Sequence, residues 1–114
     1  MKALITCSGL SNTGGLTTHV AMTLMSRRAS TIAWAQAHKG VHAIANAVDD
    51  ADQIIVIDGC SDHCALKKLH TMGITADLHI VATDLGVEKD GLAEVKWFDV
   101  EKVFAAVDQK ITGG

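Results

Sequence analysis

The sequence predicts an α/β protein with three layers, α/β/α, in which helices cover both faces of a mainly parallel sheet. Short apolar runs typical of buried strands alternate along the chain with segments whose apolar residues recur at helical spacing. The chain has 114 residues, which suits a single domain over residues 1–114. Parallel strands need right-handed crossovers, and we expect the flavodoxin-like strand order, in which the first and third strands are neighbours.

The first half of the chain contains two predicted strand–helix units. Residues 3–6 form the first strand, and the glycine-rich stretch SGLSNTGG at 8–15 follows as a loop. An apolar stripe then predicts a helix that ends near the basic residue Arg28. Residues 31–35 make a weaker second strand, and apolar residues at i, i+3, i+4 and i+7 predict a second helix over about 41–51.

The second half begins with the strongest predicted strand, the apolar run at 54–57. A third helix follows it and stops near Gly73, and residues 78–83 form a fourth strand. Residues 94–98 are predicted to add a short edge strand. The last helix is amphipathic, with Asp99 as its predicted N-cap.

Composition and charge exclude several classes of function. The formal net charge is −3, so the chain lacks the basic surface of a nucleic-acid-binding protein. Its longest apolar runs are far too short to cross a membrane, and the N-terminus does not match a signal peptide. Three cysteines are too few for a secreted disulfide framework. We therefore expect a cytoplasmic protein without nucleic-acid or membrane partners; the sequence identifies no protein partner.

The topology brings the three cysteines together. Cys7 ends the first strand and Cys60 ends the third, so the predicted strand order places them side by side in one crevice. If Cys60 is at or near the N-cap of the third helix, His63 and Cys64 are its i+3 and i+4 neighbours. A helix N-terminus favours thiolates, and zinc neutralises clustered thiolates well. The competing interpretation of each cysteine is a small buried apolar residue.

The loop after the first strand is a candidate anion or ligand site. Its predicted binding residues are Ser8, Gly9, Ser11, Asn12 and Gly14, with free backbone N–H groups facing a small molecule or anion. The lysine of a phosphate-binding Walker loop and the G-x-G-x-x-G order are both missing, which argues against nucleotides. The alternative is a tight turn capped by Ser11 or Asn12.

Two further residues are predicted to line the crevice. Trp34, placed at the end of the second strand, is interpreted as a wall. Asp58 either orients a ligand or caps the turn after the third strand, and capping is the favoured role. Among the remaining histidines, His19, His70 and His79 are interpreted as surface residues or as hydrogen-bonded core residues.

Three segments resemble a known family. They are CSGLSNTGGLT at 7–17, IIVIDGCSDHCA at 54–65 and HIVATDLGVEK at 79–89. In this order they are similar to small bacterial and archaeal proteins that are named for a DGC motif and described as candidate zinc-binding proteins. The resemblance implies an α/β fold and a zinc site made of thiolates, without an established reaction.

The resemblance assigns the metal ligands residue by residue. It carries Cys7, Cys60 and Cys64 over as zinc ligands. Members of that family usually have a further cysteine just after the second strand, where this chain has Trp34. Either the three cysteines hold zinc with His63 or water as the fourth ligand, or this chain has lost the metal. The sequence also leaves open whether the site is structural or catalytic.

Two other kinds of chemistry remain open. The N-terminal stretch MKALITCSGLSNTG also looks like the phosphocysteine segment of sugar-phosphotransferase B components, which would make Cys7 a phosphate carrier. Low-molecular-weight tyrosine phosphatases need an arginine six residues after the cysteine, and Thr13 stands there, so phosphatase chemistry is excluded. A thiol redox or sulfur-relay role through Cys60 and Cys64 is the remaining alternative.

Overall fold

A computed structural model describes residues 1–9, 11–28, 31–91 and 94–113. The strands in these residues are β1 (Lys2–Thr6), β2 (Ile32–Gln36), β3 (Gln53–Asp58) and β4 (Leu78–Val81). They form one sheet in the order β2-β1-β3-β4, and every pair of neighbours is parallel. The predicted α/β class and the flavodoxin-like strand order are confirmed.

Four α-helices of the described residues cover this sheet. They are α1 (Asn12–Arg28), α2 (Val41–Val48), α3 (Cys64–Thr71) and α4 (Trp97–Gly113). Short 3₁₀ helices follow two of the strands, over Ala37–Lys39 and Ala82–Leu85. None of the helices in the described part of the chain has the length and apolar character needed to span a membrane.

The central strand β1 shows why the core has two halves. Leu4 faces the side covered by α1 and α4, whereas Ala3 and Ile5 face the side covered by α2 and α3, and all three are fully buried. Alternate residues of a strand point to opposite faces, so a strand that is covered on both sides is apolar throughout. Each fully buried aliphatic side chain of this kind contributes about 1.5–3 kcal/mol to stability.

The largest departure from the predicted elements lies before α4. The edge strand predicted over 94–98 is wrong, because Trp97 and Phe98 are already helical. The carbonyl of Lys96 accepts the N–H groups of Asp99 and Val100, and the helix begins at Trp97, three residues before the predicted first residue, Val100. Asp99 therefore lies in the first turn of α4 and is not its N-cap; a carboxylate is also favourable there, near the positive end of the helix dipole.

Smaller departures concern where elements stop. The helix α1 ends at Arg28 as predicted, and α3 stops just before Gly73, which has a positive φ of 73°. The helix α2 ends at Val48, short of the predicted end, because Asp49 and Asp50 follow, and negative charge is unfavourable at a helix C-terminus. The strand β4 ends at Val81, where the chain turns into the second 3₁₀ helix.

Candidate thiol site

The junctions that follow β1 and β3 lie against each other at the carboxyl edge of the sheet. The N–H of Cys7 donates to the carbonyl of Ile57 at 3.2 Å, which continues the ladder between the two strands. The N–H of Gly59 donates to the Sγ of Cys7 at 3.3 Å. A Cβ at Gly59 would lie 2.6 Å from the backbone carbonyl of Thr13, so only glycine allows this close approach. The segments that carry Cys7 and Cys60 are thus direct neighbours.

Cys7 is held by its surroundings. Its half-buried Sγ lies 3.7 Å from the Oγ1 of Thr17, a fully buried residue of α1. The same Oγ1 accepts the N–H of Ser8 at 3.0 Å and donates to the carbonyl of Gly14 at 2.7 Å. Ser8 has a left-handed φ of 47°, which turns the chain sharply after the cysteine. The position of this thiol is therefore set by two junctions and one helix.

The hydrogen bonds of the loop between β1 and α1 mostly stabilise the loop itself and the start of α1. The Oγ of Ser11 accepts the N–H of Gly14 at 3.2 Å, and the carbonyl of Ser11 accepts the N–H of Gly15 at 2.8 Å, so Ser11 caps α1. A Cβ at Gly14 would lie 2.7 Å from backbone atoms of Gly9, so these two glycines allow a compact turn. This geometry matches the capped-turn interpretation of Ser11.

Asn12 ties this loop to the segment at 88–91. Its backbone N–H donates to the carbonyl of Gly91 at 2.7 Å, and its Nδ2 donates to the carbonyl of Glu88 at 2.7 Å. Its Oδ1 accepts the N–H of Asp90 at 2.8 Å. The side chain of Asn12, predicted to bind a ligand, is thus already bonded to a distant segment of its own chain.

Cys60 contacts a lysine from that same segment. The Nζ of Lys89 lies 3.4 Å from the Sγ of Cys60 and 3.4 Å from the Oδ2 of Asp62. The hydrogen bond to Cys60, with the nearby charges of both partners, raises the pKa of Lys89. The hydrogen bond from Cys60, followed by the contacts with Lys89, lowers the pKa of Asp62. The three groups form an exposed cluster in which one cation faces a thiol and a carboxylate.

Cys64 is the first residue of α3 and is exposed. Partial desolvation raises the pKa of its thiol above the ordinary value, and nearby negative groups raise it further. Those groups are Cys7, Asp58, Asp62 and Cys60. The three thiols are therefore close enough to interact electrostatically, and Cys7 and Cys60 both make the ionisation of Cys64 more costly.

The expected N-cap role of Cys60 needs correction. The N-cap of α3 is His63, which has a left-handed φ of 53° and whose side chain caps nothing. Cys60 lies one turn earlier, and its carbonyl accepts the N–H of His63 at 3.2 Å. The local turn at 60–63 places Cys60 ahead of the helix, so it gains less from the helix dipole than predicted.

Asp58 performs the capping of α3 from the end of β3. Its Oδ1 accepts the N–H of Ala65 at 2.8 Å and its Oδ2 accepts the N–H of Leu66 at 3.2 Å. The carboxylate is 1% exposed and also lies 2.8 Å from the Nε2 of His79. The ring of His79 packs edge-on against the ring of His63, with 4.8 Å between centroids. Capping by Asp58 and a hydrogen-bonded His79 agree with the favoured interpretations of both residues.

Trp34 is placed differently from the prediction. It is the middle residue of β2 rather than its end, and it packs against the core on the side of α1 and α4. Cys7 packs against the core on the opposite side of the sheet. The Nε1 of Trp34 donates to the Oγ1 of Thr6 at 3.0 Å, and Thr6 in turn bonds the hydroxyl of Ser8. A chain of hydrogen bonds links Trp34 to the loop after Cys7.

The donor atoms are near one another but do not form a ready metal centre. Within residues 1–9, 11–28, 31–91 and 94–113, no three His, Cys, Asp or Glu side chains are arranged to hold a metal ion. The Sγ of Cys60 faces Lys89, and the exposed Cys64 is free to turn in solvent. Chemically the site offers thiols for a soft metal ion or for nucleophilic attack.

Sequence reasoning missed two residues that contact the thiols. Thr17 lies two residues after the glycine-rich loop, among the apolar residues of α1, and its side chain is buried. Lys89 is the last residue of the segment HIVATDLGVEK, which contains most of β4, the strand next to β3. The carboxyl ends of neighbouring parallel strands lie at the same edge of a sheet. A charged residue shortly after β4 could therefore have been predicted to lie near Cys60, which follows β3.

Fold and site together define an α/β protein with three thiols at the carboxyl edge of a parallel sheet, where β1 and β3 end. A family model, the DGC domain, matches residues 3–107. The chain therefore belongs to the DGC domain family, as its motifs predict. The matched span includes both junctions and all three cysteines. No curated protein and no solved structure gives a significant match to the chain.

Proposed function

We propose that this protein binds zinc through the thiolates of Cys7, Cys60 and Cys64. The observation that carries the proposal is the close approach of the two junctions, in which the N–H of Gly59, the residue before Cys60, donates to the Sγ of Cys7 at 3.3 Å. Thiolate sulfur is a preferred zinc ligand, and a divalent cation neutralises thiolates that lie close together. The resemblance carried by the DGC motif implies the same metal, and the chain belongs to that family.

Binding requires a limited rearrangement of side chains. Cys7 stays in place because Gly59 and Thr17 contact its sulfur. Cys60 begins the turn before α3 and Cys64 begins the helix itself, at or near the surface, where rotation about one side-chain bond costs little. The fixed thiol serves as the anchor, and the two outer thiols turn toward it.

The fourth ligand in this proposal is His63 or water. His63 adjoins Cys64, and its left-handed backbone and its contact with His79 hold its ring near the start of α3. A bound zinc ion would neutralise the thiolates and, with water as its fourth ligand, would activate that water. In this proposal Cys7 is the fixed ligand, and Cys60 and Cys64 are the ligands that change rotamer.

Metal analysis tests the proposal directly. The untagged protein, purified without chelator, should contain about one zinc per chain. Serine at position 7, 60 or 64 should weaken zinc binding by about 3 kcal/mol or more, because one of three thiolates is lost. Protein that takes up no zinc from a metal buffer would contradict the proposal. A matched pair resolves the fourth ligand: His63→Ala weakens binding if the imidazole is a ligand, whereas the exposed His42→Ala leaves it unchanged.

A second candidate function is thiol chemistry at Cys60, in redox exchange or sulfur relay. The ammonium of Lys89 lies 3.4 Å from the Sγ, where it can pair with the thiolate that acts as a nucleophile. The phosphocysteine alternative at Cys7 has weaker support, because Ser11 caps α1 and Asn12 is bonded to the segment at 88–91. Selective labelling of Cys60 in protein that binds no zinc would favour thiol chemistry.

A further inference from the structure

Lys89 reaches the thiol site from a segment far from any cysteine in the sequence. It follows the second 3₁₀ helix, and its Nζ lies 3.4 Å from both the Sγ of Cys60 and the Oδ2 of Asp62. A lysine paired with one exposed carboxylate is common and contributes little. A lysine that contacts a thiol and a carboxylate together is placed to balance the charge of a site.

The backbone on either side of Lys89 is fixed by Asn12. The carbonyl of Glu88 and the N–H of Asp90 bond the side-chain amide of Asn12, at 2.7 and 2.8 Å. The carbonyl of Gly91 accepts the backbone N–H of Asn12 at 2.7 Å. Because these bonds flank position 89 on both sides, Asn12 determines where the lysine side chain starts.

We propose that Lys89 is a positioning residue of the zinc site, which balances its charge and donates a hydrogen bond to Cys60, and that Asn12 holds it there. This inference rests on the proposed zinc function. Zinc with three thiolates and one neutral ligand carries a net charge of −1. Asp58 and Asp62 add negative charge around that complex, and the ammonium of Lys89 offsets it.

The side chain of Lys89 suits this role when the site rearranges. Its flexible four-carbon stem lets the ammonium stay beside Cys60 when that thiol turns toward Cys7. Hydrogen bonds to ligand atoms tune metal affinity, and their loss typically weakens binding by tenfold or more. Since Lys89 is partly exposed, solvent compensates in part, and we expect an effect at the low end of that range.

Zinc affinity measured against a chromophoric chelator, at one pH and one ionic strength, tests the inference. Lys89→Met should bind zinc about tenfold more weakly than the wild-type protein. Lys89→Arg keeps the charge and should stay within about threefold. Lys110→Met removes an exposed lysine from α4 and serves as the control for net charge, with an expected change below about twofold.

A double-mutant cycle tests the role of Asn12. Asn12→Ala alone should weaken zinc binding by about threefold, because Lys89 is no longer held, and should add nothing in the Lys89→Met background. A merely structural role of Asn12 would give the same loss in both backgrounds. Thermal unfolding of each variant verifies that the fold is intact.

Cobalt substitution supplies a readout that does not depend on affinity. The sulfur-to-cobalt charge-transfer band should move to lower energy in Lys89→Met, since the thiolate loses its hydrogen bond, and should not move in Lys110→Met. Equal zinc affinity and equal spectra in wild type and Lys89→Met overturn the inference and leave the zinc proposal standing. A wild-type protein that binds neither metal overturns both.

Discussion

The junction after β1 and the junction after β3 occupy equivalent places in the sheet but hold their cysteines differently. Cys7 is fixed by Thr17 and by the N–H of Gly59, within a loop that caps its own helix through Ser11. Cys60 and Cys64 flank an exposed turn whose helix is capped from a distance by Asp58. One junction therefore holds its thiol through contacts with α1 and with the other junction, whereas the two thiols of the second junction lie on either side of a surface turn.

Among the variants considered for the two junctions, loss of the Asp58 cap of α3 is expected to reduce stability the most. Asp58→Ala leaves the N–H groups of Ala65 and Leu66 and the ring of His79 without their buried acceptor. We expect a loss of about 3–4 kcal/mol in the free energy of unfolding of the metal-free protein, measured in urea.

Two variants bracket that prediction. Asp58→Asn keeps one oxygen acceptor and should cost less than Asp58→Ala. Asp50→Ala, on the exposed turn after α2, should change stability by less than about 0.5 kcal/mol. Equal stability of Asp58→Ala and Asp50→Ala would show that α3 does not depend on this carboxylate.

The contact between the two junctions is tested at Gly59. Alanine there places a Cβ 2.6 Å from the backbone carbonyl of Thr13, so the junctions must move apart. We expect Gly59→Ala to cost about 2–3 kcal/mol, measured by chemical denaturation. Gly9→Ala is the matched control, because a Cβ at Gly9 meets nothing within 4 Å. A Gly59→Ala protein as stable as Gly9→Ala would contradict the close approach.

The anchoring of Cys7 is tested at Thr17. Thr17→Val keeps the shape of the side chain but leaves the N–H of Ser8 without its acceptor in a buried place. We expect a loss of about 1–2 kcal/mol in thermal or urea unfolding. Thr23→Val, further along α1, removes a hydroxyl that donates to the carbonyl of His19 near solvent, and should cost less. A smaller loss at Thr17 than at Thr23 would argue against a fixed first junction.

The smallest expected effect concerns pH and Cys64. Desolvation and then nearby negative charge raise the pKa of this thiol in the folded protein above its ordinary value of 9.0. The unfolded chain then releases its proton first, so the metal-free protein loses stability as the pH rises from about the ordinary thiol value through the folded one. Because Cys64 is exposed, the loss should stay below about 1 kcal/mol.

Urea unfolding between pH 7 and pH 10 measures this effect. The difference between wild type and Cys64→Ser should grow over that range if the thiol is responsible. A difference that is constant with pH would show that the anionic surroundings of Cys64 do not oppose its ionisation.

Most of the architecture and the location of the site were predictable from the sequence. Apolar runs and helical spacing are local patterns, and they placed the four strands and the four helices close to their observed positions. The strand order then put Cys7 and Cys60 on neighbouring strand ends. The predicted edge strand at 94–98 failed because two adjacent aromatic residues suit a strand, whereas Trp97 and Phe98 begin a helix at the surface.

Local periodicity and general rules of chain connection fix the α/β class, the parallel order and the edge at which the cysteines meet. The groups that surround the thiols follow only from the three-dimensional fold. Lys89 reaches Cys60 across 29 positions, and Asn12 bonds Asp90 across 78. The side of the sheet on which Trp34 packs likewise follows from the fold. Such contacts depend on the paths of loops in space, which carry no periodic signal in the sequence.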